Sequence, residues 1–240
     1  MIASRVAMIH ALEESVAPAR AAFAQMWPEA YCFDLLDTSL AVDRAEAGAL
    51  DNAMIGRFRM LADYAASSYG RGGRTAAILF TCSAFGPAID AVKTNTAIPV
   101  LRPNEAAFSE ALDLGSRFLI AVTFGPSRES LEAELRAMAR AVGKTIQIET
   151  IMIEGALAAL KAGDGDRHDT LAAATIEQHA ATVDVVILGQ FSLARAKAAI
   201  ERRIGSVTVI TTPHSAVKAI RRLTDGARST IRQIGGTQDA

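Results

Sequence analysis

Short apolar or β-branched runs recur along the 240-residue chain at positions 6–9, 31–36, 76–80, 99–101, 118–123, 145–151, 184–188 and 206–210. Each has the length of a strand, and most lack polar alternation, the mark of strands covered on both faces. Between them lie longer stretches, at 16–27, 50–69, 127–142, 169–182 and 215–223, in which apolar residues return every three or four positions. Alternating strand and helix predicts an α/β fold, a parallel sheet with helices on both faces. Two glycine-rich stretches interrupt the pattern and are expected as surface loops: Gly70-Arg71-Gly72-Gly73-Arg74 and Gly163-Asp164-Gly165-Asp166-Arg167. The first precedes its strand, which is the wrong side for cradling a phosphate. The second lacks the ordered oxygen ligands of a calcium loop.

The apolar pattern also repeats within the chain. When Ala77-Ile78-Leu79-Phe80-Thr81-Cys82 is set over Val185-Val186-Ile187-Leu188-Gly189-Gln190, the register carries Val92 onto Ile200, Pro99 onto Val207 and Leu101 onto Val209. One residue of slippage brings Ala106-Ala107-Phe108 onto Ser215-Ala216-Val217, and the strand at 6–9 matches the one that begins at Leu119. A duplicated strand-helix unit follows. The expected architecture is two pseudo-symmetric, doubly wound halves facing across a cleft, residues 1–102 plus 212–240 and residues 103–211.

Composition narrows the function. Half of the residues are hydrophobic, enough for a sizeable core, and 25 basic against 26 acidic residues leave no basic stripe for nucleic acid or an anionic membrane. No run approaches the roughly 18 uncharged apolar residues that a membrane helix needs, and the opening residues, broken by Arg5 and His10, read as a strand rather than a leader. Two cysteines, Cys32 and Cys82, make no disulfide framework or paired metal motif. These features predict a cytoplasmic protein whose partners are a small molecule and, given its alanine-rich helices, copies of itself as a homodimer or larger homo-oligomer.

Thr81-Cys82-Ser83 stands where a buried strand gives way to a helix containing Pro87. Ligands of open α/β sheets bind at the carboxyl ends of the strands. A cysteine at a helix N-terminus is expected to have a lowered pKa, and free N–H groups with the Thr81 and Ser83 hydroxyls suit a carboxylate. Cys32 lies inside a strand and reads as a small apolar core residue. His10 and His214 follow the first and last strands; each orients a substrate, serves as an acid or base, or merely caps a turn. His168 and His179 have no metal-site spacing and are expected to face solvent. Asp37, Thr123, Thr211 and Thr212 also follow strands, as cleft-lining oxygens or as helix caps. No arginine or lysine directly follows Cys82, Thr123 or Gln190.

Taken in order, these stretches resemble the aspartate/glutamate/hydantoin racemase superfamily over nearly the whole chain: Ile9-His10, Leu35-Leu36-Asp37-Thr38-Ser39-Leu40, Thr81-Cys82-Ser83-Ala84-Phe85-Gly86-Pro87, Ala121-Val122-Thr123-Phe124-Gly125-Pro126 and Thr211-Thr212-Pro213. The resemblance implies proton transfer at the carbon next to a carboxylate, without pyridoxal phosphate, nicotinamide or metal. It places Cys82 at the first catalytic position and Thr123 among the carboxylate-binding groups. Racemases of the family use two cysteines on opposite faces of the substrate. Here Gln190 holds the second position, and an amide donates hydrogen bonds but is no base near neutral pH. A one-cysteine decarboxylase of substituted malonates is also known in the family, but its cysteine belongs to the second half. The expected activity is therefore a Cys82-dependent isomerase acting on a small carboxylic acid. The alternatives are a lyase or a small-carboxylate-binding protein without activity. A nucleotide-binding reading is disfavoured, because His10-Ala11-Leu12-Glu13 replaces the glycine-rich turn.

Overall fold

A computed structural model describes residues 4–235, with side chains through residue 226. The strands are β1 (Ser4–His10), β2 (Ala30–Leu36), β3 (Tyr69–Gly70), β4 (Gly73–Phe80), β5 (Val100–Leu101), β6 (Arg117–Val122), β7 (Gln147–Met152), β8 (Val185–Leu188) and β9 (Thr208–Thr211). The helices are α1 (Val16–Met26), α2 (Ser39–Ala47), α3 (Asn52–Ser67), α4 (Gly86–Lys93), α5 (Glu105–Leu114), α6 (Arg128–Ala141), α7 (Ala156–Lys161), α8 (Gly165–Glu177), α9 (Lys197–Ile204) and α10 (Thr212–Gly235).

Two parallel sheets form, ordered β2-β1-β4-β5 and β7-β6-β8-β9, and β3 adds a short antiparallel pair to the start of β4. The second order is the first with each strand replaced by its counterpart in the repeat. Both faces of each sheet are covered, which is why the strands read as unbroken apolar runs. In β1, Ala7 and Ile9 enter a core with α2, α3 and α4, whereas Val6 and Met8 enter another with α1 and α10. Ile78, Phe80 and Cys82 continue this two-residue period on the first of those faces.

Each sequence repeat sends its last helix to the other repeat's sheet. Ala107, Phe108, Ala111 and Leu112 of α5 pack with Phe118, Ile120 and Val122 of β6. Ala216, Val217 and Ile220 of α10 pack with Val6, Met8 and Leu79 of the first sheet. Burying a large aliphatic or aromatic side chain contributes about 1.5–3 kcal/mol, so this exchange ties the two sheets together.

Local chemistry corrects several expectations. Residues 70–74 do hold the expected surface turn, whose flanks pair as the β3–β4 hairpin, with Gly72 and Gly73 at φ of 86° and 91°. Arg5 fastens that hairpin: its guanidinium lies 4.3 Å from the centre of the Phe33 ring and donates to Arg71 O and Ser68 Oγ. Residues 163–167 start a helix, because the Asp164 carboxylate accepts from Arg167 N at 3.0 Å and caps α8. His168 does not face solvent: it is fully buried, with Nδ1 on Asp169. His179 is only partly exposed and is paired with Glu149. No helix among the described residues is long and apolar enough to cross a membrane.

Candidate active site

The carboxyl ends of β1, β4, β6 and β8 meet at one end of the two sheets, and each runs into a short 3-10 turn: Glu13–Ser15, Ser83–Phe85, Gly125–Ser127 and Phe191–Ala196. Phe85 of the second turn packs against Phe58 of α3 with ring centres 4.7 Å apart, and Phe58 stacks on Phe80 at 5.3 Å. The segment carrying Cys82 is thereby held by aromatic packing on either side. At the matching position of the second half, Gly189 passes so close to Leu131 and Ala121 that a Cβ would sit 2.9 Å and 3.1 Å from them. This close approach explains glycine where the first half has Thr81.

Cys82 is 8% exposed. Ile9, His10, Leu40, Phe58 and Phe80 close around it in a gap with no room for a water molecule. The lowered pKa expected from a helix N-terminus is not found. Cys82 is extended, one three-residue turn follows it, and α4 starts only at Gly86. Burial therefore wins and pushes the thiol up to about 11, with only the Ala84 N–H pulling the other way. The rate of Cys82 alkylation by iodoacetamide should keep climbing beyond pH 10. A plateau near the free-thiol value of about 8.5 would contradict this environment. Cys32 is partly buried in β2, and burial raises its thiol to about 12.

Gln190 is also 8% exposed, and both the oxygen and the nitrogen of its amide have partners. Its Oε1 accepts from both the N–H and the hydroxyl of Thr123, each at 2.7 Å, and its Nε2 donates to Ser127 Oγ at 3.3 Å. Ser83 Oγ donates to the same Ser127 oxygen at 2.9 Å, so a buried polar chain runs from the Cys82 turn to Thr123 and joins the halves. In the first half Ser15, at the place matching Ser127, accepts from the Thr81 hydroxyl. Ser15 and Ser127 went unnoticed in the sequence. The signal was there, since each follows the last residue of its strand, His10 or Val122, by the same five positions.

His10 is fully buried, with Nδ1 on Thr81 Oγ1 at 2.8 Å and Nε2 on Asp34 at 2.9 Å; Asp34 in turn accepts from Arg20. Both ring nitrogens are taken, so in this arrangement His10 orients Thr81 and has no free nitrogen for a substrate. Its pKa is lowered, chiefly by burial, against a smaller upward pull from Asp34. The sign of the pH effect follows. The unfolded chain protonates this group near pH 6.5 and the folded chain does not, so its contribution is full above about pH 6.5 and is lost as pH falls below that value. Stability measured by urea denaturation should thus drop less steeply from pH 7 to pH 5.5 in His10→Asn than in the wild type. Parallel curves would refute the assignment. His214 is lowered by burial as well, and only the difference between the two proteins isolates His10.

The remaining candidates lie apart. Asp37 bonds Ser39 and Arg57, which hold its carboxyl below the usual range against the opposing effect of burial. His214 bonds Thr211 Oγ1 at 2.6 Å and Gln25 at 3.1 Å, and it lines a separate cavity of about 610 Å³ with Glu13, Glu14, Lys161 and Arg195. Thr212 starts α10, fully buried, with its hydroxyl unpartnered. A third cavity, of about 680 Å³, opens between Glu13, Thr38, Val42, Phe124 and Lys161. Among the described residues no group of three or more His, Cys, Asp or Glu side chains is placed to hold a metal.

The same arrangement of strands occurs in solved structures. A glutamate racemase of Bacillus anthracis superposes with a TM-score of 0.69 at 11% identity, over 95% of this chain and 84% of that one. An aspartate racemase of Picrophilus torridus gives 0.66 at 13%, over 92% and 94%. An unliganded arylmalonate decarboxylase gives 0.55 at 17%, over 92% of each chain. At such identities the likeness is one of fold. No curated protein sequence gives a significant match. The family model of Asp/Glu/hydantoin racemases matches residues 3–220, and on that match the chain belongs to this family.

Proposed function

We propose that this protein transfers a proton at the carbon next to the carboxylate of a small acid, with Cys82 as the proton carrier. The observation that carries the reading is the pairing of Cys82 and Gln190 at the ends of matching strands, joined through Ser83 and Ser127. In the isomerase direction the Cys82 thiol, held near 11 by burial, first gives its proton to water; the thiolate then takes the α-proton and becomes a thiol again, and the electron pair left on carbon spreads into the carboxylate as an enediolate. The proton then returns to carbon. Hydroxyls and N–H groups hold the growing oxyanion charge, which is the ordinary means of stabilising such an intermediate. Gln190, already accepting from Thr123, contributes hydrogen bonds and no proton.

One feature favours a second reading, decarboxylation of a substituted malonate. A thiol held near 11 is neutral at neutral pH, the competent form of a proton donor. In that reaction the carbon–carboxylate bond breaks, carbon dioxide leaves, and the electron pair forms the same enediolate. Cys82 then protonates the carbon and is itself reprotonated by water.

A single assay separates the two. The protein is incubated in deuterium oxide with a panel of amino acids, hydroxy acids and substituted malonates, and proton NMR follows the α-signal. Loss of that signal with the acid intact supports isomerase chemistry, whereas a shortened, singly deuterated acid supports decarboxylation. Silence across the panel, with no acid stabilising the protein against heat, would leave the enzyme reading without support.

A further inference from the structure

The cavity beside His214 lies outside the site just proposed, since none of Cys82, Thr123 and Gln190 lines it. It runs along α1, facing the end of α7 and the turn Phe191–Ala196, so the two halves supply opposite walls. Its volume of about 610 Å³ suits a small molecule. Ala17, Pro18, Ala21 and Leu160 make part of the lining apolar.

Two polar groups on the wall from the second half are left open. Ser192 is only 6% exposed and lines the cavity, yet its hydroxyl has no hydrogen-bond partner among the described residues. Such a buried hydroxyl is costly unless something else completes it. Arg195 gives its Nε to Asp169 at 2.8 Å, and its two terminal nitrogens have no acceptor among the described residues. The turn is a 3-10 helix, in which side chains three residues apart eclipse, so Ser192 and Arg195 share one face. A hydroxyl and a guanidinium side by side are a donor set for a carboxylate. The other polar groups play different parts. His214 has both ring nitrogens taken, by Thr211 and Gln25. Glu13 and Glu14, in the turn before α1, outnumber Lys161 and repel a second carboxylate.

We propose that this cavity binds a monocarboxylic acid with an apolar body, the carboxylate on Ser192 and Arg195 and the body along α1. The site is separate from Cys82 and does not rest on the activity proposed above. Because its walls come from different halves, an occupant ties α1 to the turn that follows Gln190.

The test is isothermal titration calorimetry of the intact chain with hexanoate, on variants whose fold is checked by circular dichroism. The wild type should bind one equivalent, and Ser192→Ala should bind at least about tenfold more weakly, the worth of a hydrogen bond to a charged group. Ala21→Phe, at an exposed position of α1 where a ring would fill the cavity, should lose binding without touching either polar group. Thr123→Ala, altered beside Gln190 instead, should bind as the wild type does. Absence of binding by the wild type, or wild-type affinity in both Ser192→Ala and Ala21→Phe, would overturn the site. Equal weakening in Thr123→Ala and Ser192→Ala would also overturn it, by putting the acid beside Cys82. Phosphate or glutarate bound as tightly as hexanoate would overturn the proposed ligand class.

Discussion

Cys82→Ser is expected to lower α-proton exchange on any responsive substrate by about 10²–10⁴-fold, the usual worth of a positioned acid or base. No other group in the described site takes over. His10 has both nitrogens engaged and Gln190 is an amide. The substitution also places a hydroxyl among Ile9, Phe58 and Phe80, which costs about 1–3 kcal/mol where no partner is found. Cys82→Ala avoids that burden and should show the same loss of exchange. Parallel circular dichroism spectra and denaturation curves would separate lost chemistry from lost fold. Exchange that survives in both variants would remove Cys82 from the mechanism.

The second large effect is stereochemical. With a thiol on one face only, a carbanion is reprotonated from the face that lost its proton, so the wild type should incorporate deuterium while retaining configuration. Gln190→Cys restores a second acid and base at the position matching Cys82 and should introduce slow inversion. It also strips the Thr123 N–H and hydroxyl of their shared acceptor, at a cost of about 1–3 kcal/mol. Reduced stability together with new racemisation is therefore the expected pair of outcomes. The measurement follows deuterium uptake and optical rotation together on one enantiomer. Wild-type protein that inverts its substrate as fast as it exchanges the proton would end the one-thiol account.

Much of this molecule was legible in its residues because periodicity is local. The unbroken apolar runs at β1, β4, β6 and β8 could only be strands covered on both faces, and their repetition from Ala77 to Cys82 and from Val185 to Gln190 announced two matching halves. Thr81, Cys82, Thr123 and Gln190 were placed at strand ends by the same counting. The sequence of Asp164 and Arg167 even contained the cap of α8, but the neighbouring glycines read more strongly as a loop.

What the chain alone could not decide was everything set by contacts between distant segments. An α/β pattern puts Cys82 at the mouth of a helix, and the general rule then lowers its pKa. The folded protein does the reverse, because Phe58, Leu40 and Ile9 arrive from other elements and dry the thiol, and desolvation outweighs one turn's worth of dipole. Asp37 and His10 look alike as polar residues at strand ends, yet Arg57 pairs with one while Asp34 and Thr81 take both ring nitrogens of the other. Ser127, invisible as a lone serine, became the bridge between the halves once α5 and α10 had crossed over and brought the two turns within hydrogen-bonding distance. Strand, helix and repeat follow from neighbours along the chain; protonation and partnership follow from neighbours in space, and those exist only after the core has closed.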